Sequence, residues 1–173
     1  DRRNTHVISV RLFDRVNILC PSPSQYSSVP YEYTKLYAVS SDGYDVCELQ
    51  DEKPVGVCQD PFRQSTISIT FRNFSPLPGA LEFKPGKSYY VISTSNGTKE
   101  GIDNRFGGLC ENKHMKLKFE VHSGMFRIKS KTASSSMSTP LLYIIHTSDS
   151  NSDNYFAQGS INYVMAFKFP EKH

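Results

Sequence analysis

Apolar and polar residues alternate with a period of two through most of this chain. In HVISVRL (His6–Leu12), Ile8, Val10 and Leu12 share one face, and Ser9 and Arg11 take the other. RVNILC follows and ends at Cys20, where Pro21 and Pro23 stop a strand. In EYTKLYAVS, Tyr33, Tyr37 and Val39 share a face, and TISITFR aligns Ile67, Ile69 and Phe71. SYYVISTS is β-branched and aromatic, as strands prefer. HMKLKFEV is the cleanest case, with Met115, Leu117, Phe119 and Val121 inward against Lys116, Lys118 and Glu120. No window holds a 3.6-residue period over three turns, so the pattern predicts an all-β sandwich or barrel.

Near Ser123-Gly124 the texture changes. Ser130–Pro140 is Ser/Thr-rich and reads as a linker. Two apolar runs follow, Leu141–His146 and Ile161–Phe169; in the second, Ile161, Tyr163, Met165, Phe167 and Phe169 alternate with Asn162, Val164, Ala166 and Lys168. With a polar turn between them they read as a β-hairpin, whose apolar area needs burial. The expected division is a main domain over 1–123 and an extension over 124–173. The hairpin is expected to pack on the main domain; contact with another chain is the alternative.

The 173 residues suffice for one domain with a real core. A formal charge of +3 is too mild to argue for nucleic acid. No apolar run approaches the ~18–20 residues that span a bilayer, and no signal sequence opens the chain. Cys20, Cys47, Cys58 and Cys110 form no CxxC pair, and their even number suggests two disulfides of a secreted domain. Three pairings are open. The sequons at Asn73 and Asn96 fit the same secretory route.

Candidate chemistry is sparse. CENKHM (Cys110–Met115) offers thiolate, imidazole and thioether, but copper needs a second histidine, and the only upstream one is His6. DSNSDN (Asp149–Asn154) begins like a calcium loop, yet positions six and twelve are Asn154 and Ser160 instead of Gly and Glu. There is no nucleophile elbow and no phosphate loop, so no enzyme and no cofactor is expected. Lys113, Lys116, Lys118, Arg127, Lys129 and Lys131 form a modest basic stretch, read as a solvated face or a glycosaminoglycan site. The most telling segment is NFSPLPGALEF, Asn73–Phe83. Its prolines forbid a regular ladder, and it carries apolar residues without chemistry. It reads either as core at strand ends or as a preordered plug for a partner.

FSPLPGALEFKPGKSYYVISTSNGTKEGIDNRFGGLC (Phe74–Cys110) resembles the ectodomain of ephrins, the ligands of Eph receptor tyrosine kinases, and is closest in pattern to the B class. NILCP at Asn17–Pro21 and YEYTKLYAVSSDGYDVCEL at Tyr31–Leu49 fit as well; the likeness covers roughly residues 6–122 and suggests an invertebrate-like member. It implies an eight-stranded Greek-key barrel of cupredoxin-like topology without copper, and disulfides Cys20–Cys58 and Cys47–Cys110. It also implies that Phe74, Ser75, Pro76, Leu77, Pro78, Gly79, Ala80, Leu81 and Glu82 form the receptor-binding loop, which enters an apolar channel of the Eph ligand-binding domain. The chain is then a cell-surface ligand, held by a glycolipid or, as the alternative, by a single membrane span.

Departures from the family pattern suggest a second reading. B-class ephrins carry Asn-Leu-Trp-Gly where this chain has Leu77, Pro78, Gly79 and Ala80, so the aromatic anchor is missing. A glycan on Asn73 would stand at the loop base. The family's first strand does not precede Asp1, and the hairpin of the extension is expected along the edge this leaves. The alternative partner is another adhesion receptor or a heparan sulfate proteoglycan, engaged independently of Eph kinases.

Overall fold

The alternating runs become strands of two sheets. The computed structural model describes residues 6–23, 25, 28–124, 145–147 and 162–166. In chain order the elements are β1 (His6–Arg11), β2 (Arg15–Leu19), β3 (Thr34–Val39), α1 (Ser41–Val46), β4 (Pro54–Cys58), β5 (Thr66–Thr70), β6 (Ser88–Ile92), α2 (Gly108–Lys113), β7 (Lys116–His122), β8 (Ile145–Thr147) and β9 (Asn162–Ala166). One sheet has the order β1-β7-β6-β3-β4 and the other β5-β2-β9-β8. They approach each other along β4 and β5. The all-β Greek-key architecture stands, but the described residues show nine strands in a two-sheet sandwich where the resemblance implies eight in a barrel. Two of the nine, β8 and β9, come from residues after 124, and residues 6–122 supply the other seven.

β9 lies parallel to β2, from Arg15↔Asn162 to Leu19↔Ala166, and β8 pairs antiparallel with β9. Met165 of β9 is fully buried in the main core. The run Ser130–Pro140, the turn Asp149–Asn154, the cations Arg127, Lys129 and Lys131, and the remainder of the two apolar runs lie outside the described residues.

The main core takes Ile8, Val10, Leu117, Phe119 and Val121 from one sheet and Val16, Ile18, Ile67 and Ile69 from the other. Phe71 joins them, packed on Phe83 and Phe119 at centroid distances of 4.6 and 5.1 Å. β3 is buried on both faces. Leu36 enters the main core, while Tyr37 and Val39 join a second cluster with Tyr44, Leu49 and Ile92. Tyr33, aligned with them in the sequence, instead packs against the main core, edge-on to Tyr31.

The second cluster depends on two helices that periodicity did not predict. Each has six residues, too short to impose a 3.6-residue pattern. Local capping forms them: Ser40 Oγ accepts from Gly43 N at the start of α1, and Cys47 and His114 close the two helices in the left-handed conformation. Cys47–Cys110 joins the end of α1 to α2, and Cys20–Cys58 joins the end of β2 to β4. These close 63 and 38 residues of chain respectively, each worth about 4 kcal/mol in the chain-entropy model.

Candidate partner-binding loop

The segment Asn73–Glu82 leaves the end of β5 as an irregular loop. Its foot is closed by Phe83 N donating to Arg72 O at 2.8 Å. Phe83 is buried there between Phe71 and Tyr89, and Tyr89 OH accepts from Lys84 N at 2.7 Å. Leu81 is half-buried against the same core. These contacts anchor the outgoing limb.

The tip is set by Leu77-Pro78-Gly79-Ala80. Ala80 N donates to Leu77 O at 3.3 Å, and Gly79 has φ of +73°. Proline followed by a positive-φ glycine is the arrangement of a type II turn. Two further contacts brace the loop: Leu77 N to Ser75 Oγ at 3.3 Å and Ser75 N to Glu82 Oε1 at 3.4 Å. Glu82 therefore steadies the loop rather than doing chemistry. Phe74 is 69% exposed and Leu77 70%. Phe74 and Leu77 are therefore not core residues, whereas Leu81 and Phe83 are packed. The limb Gly79–Phe83 borders an open cavity of about 480 Å³, together with Val39, Gln50, Lys53 and Tyr90.

The other sequence candidates fall elsewhere. CENKHM forms α2 and its end instead of a strand. Cys110 is in a disulfide, His114 caps the helix, and Met115 is buried in the core. Among the described residues no three potential ligands gather for a metal. His6 does sense His114: burial first, then that neighbour's charge, lowers its imidazole below the ordinary value. The described cations of the basic stretch are engaged. Lys113 pairs with Glu32, Lys116 sits 4.7 Å from the Tyr44 ring centre, and Lys118 pairs with Glu120 at 2.8 Å. The Glu120 contact raises the Lys118 ammonium above its usual value.

The two sequons differ. Asn73 is exposed at the loop foot. Asn96 Oδ1 accepts from Thr98 N and Thr98 Oγ1, and its amide lies so close on Gly101 that a Cβ there would collide. Two features escaped sequence reading. One is the set of polar staples around Asn104; the other is Phe13, at the corner between β1 and β2. An aromatic beside Asp14 at a strand junction was the one available signal for the latter.

The family model described as Ephrin matches residues 1–121. Ephrin-B1 of Gallus gallus is 39% identical over 116 residues, covering 66% of this chain and 34% of its own length. Ephrin-4 of Caenorhabditis briggsae is 30% identical over 143 residues, covering 70% of this chain and 39% of its own length. The chain thus spans little more than a third of these curated relatives. A solved structure titled the human ephrin A2–ephrin A1 complex matches with a TM-score of 0.54 and 28% identity, over 68% of this chain and 85% of that one.

Proposed function

The chain belongs to the ephrin family, and from that premise we propose that it is a cell-surface ligand whose loop Phe74–Glu82 binds the ligand-binding domain of an Eph receptor tyrosine kinase. The observation that carries this reading is the exposure of Phe74 and Leu77 on a loop fixed by Pro76, Pro78 and a buried Phe83. Exposed apolar side chains on a preordered segment gain by desolvation on docking and lose little entropy. The missing aromatic leaves Phe74 and Leu77 as the apolar contacts. The protein acts by occupying and clustering receptors at cell contacts, without catalysis of its own.

The division at 123/124 follows the same reading, with residues 1–123 as the receptor-binding part. Both Asn73 and Asn96 carry glycans in it, and the anchor is a glycolipid outside this sequence. Among the described residues no helix is long and apolar enough to cross a membrane. A proteoglycan partner is not favoured, since Lys113, Lys116 and Lys118 are already engaged.

The test is surface plasmon resonance of the glycosylated protein on an Eph ligand-binding domain. Saturable binding is expected, weakened at least tenfold, about 1.4 kcal/mol, by Leu77→Asp with an unchanged melting temperature. Binding indifferent to Leu77→Asp would remove the loop from the interface. Silence of the native protein with both disulfides intact would overturn the receptor reading.

A further inference from the structure

We propose that Phe13 is a second apolar contact for the same receptor, flanking the foot of the loop; the inference rests on the reading above. β1 and β2 lie in different sheets, so Leu12–Asp14 must turn a corner between layers. The corner is fixed from within: Asp14 N donates to Arg11 O at 3.2 Å, and Arg11 N to Asp14 Oδ2 at 2.8 Å. Asp14 is fully buried. It is also fixed to the loop's stem. Phe13 N donates to Phe71 O at 2.7 Å, and Phe71 N to Asp14 O at 3.0 Å. Phe74 follows Phe71 by three residues, so the corner and the loop leave the sandwich together.

This geometry holds Phe13 at φ of +72°. Glycine adopts that region freely, while a bulky aromatic is rare and strained there. Among the described residues only Cys47 and His114 share such a φ without being glycine, and both close helices. Phe13 closes none. Packing does not offset its strain either, because it is 61% exposed. A glycine would build the same corner at lower cost to the fold. A ring kept where the fold is better without it points to a partner that takes it. Phe62 and Phe106 are as exposed, but neither has a positive φ or a hydrogen bond to the loop's stem. The partner surface that fits Phe13 is an apolar one, at the rim of the channel that receives Leu77.

The experiment compares Phe13→Gly, Phe62→Ala and Leu77→Asp for melting temperature and for affinity to the Eph ligand-binding domain. Phe13→Gly is expected to raise the melting temperature by about 2–4 °C and to weaken binding about tenfold. Phe62→Ala is expected to leave binding unchanged. A merely structural Phe13 gives the opposite signs: a lowered melting temperature, or unaltered affinity. Either result, with Leu77→Asp still weakening binding, overturns the role of Phe13 and leaves the loop reading intact. If the native protein does not bind, both fall together.

Discussion

Two long connections flank β6 in the chain. Asn73–Glu82 follows β5, and Ser93–Gly107 follows β6. The second is closed by its own polar groups. Thr94 Oγ1 donates to Asn104 O at 2.7 Å, and Asn104 Nδ2 donates to Thr94 O and Phe106 O at 2.8 and 2.7 Å. Ser95 Oγ reaches Ile102 O at 2.7 Å, and Lys35 Nζ reaches Asp103 at 2.8 Å. That last contact, followed by one from Tyr37, raises the Lys35 ammonium above its ordinary value. Ser93, Thr94 and Ser95 are all fully buried. The first connection has three long contacts and turns apolar side chains to water. The difference fits the role proposed for each. A connection that pairs most of its buried polar groups internally, the Ser93 hydroxyl excepted, serves the fold, while one braced by proline and open in its apolar surface suits the partner role proposed above.

The sharpest way to break the comparison is at the disulfide behind the polar connection. Replacing Cys47 and Cys110 together by serine should cost about 4 kcal/mol of stability. Denaturant unfolding reads this directly, and affinity measured well below the new midpoint should stay near that of the native protein. Asn104→Ala comes next. It strands the buried Thr94 carbonyl, so a loss of about 1–3 kcal/mol is expected, again without a change in receptor affinity. Gly79→Ala acts on the other side. A Cβ there meets open space, so the effect comes from the +73° φ alone, about 1 kcal/mol. Here affinity should fall more than the melting temperature, because the strain sits in the loop tip. If Gly79→Ala moved stability and left binding untouched, the contrast between the two connections would fail.

The strands that bury one clean face were legible, while β4 (Pro54–Cys58), with no such face, was not. Ile67, Ile69 and Phe71, or Leu117, Phe119 and Val121, announce themselves by alternation alone. The family likeness supplied the disulfide pairing that spacing left open. The helices were not legible, since six residues capped by Ser40 or ended by His114 leave no period to read. Nor were the polar staples, because Thr94 and Asn104 meet through backbone carbonyls, which every residue carries. The loop's composition was visible, but its exposure was not: Phe74 and Phe83 look alike in sequence, and only the fold buries one and presents the other. Phe13 was hidden for a different reason, since strain is a property of φ and not of composition.

The parallel pairing of β9 with β2 also bears on where this chain can be cut. The family model ends at residue 121, before β9 begins. A fragment trimmed to that boundary would lose Met165 from the interior and leave one whole side of β2 without its ladder partners. An open strand edge beside a hollow is a template for stray chains, so such a fragment would tend to stick to copies of itself. Expression boundaries for this protein are therefore better drawn beyond Ala166 than at the end of the shared family sequence.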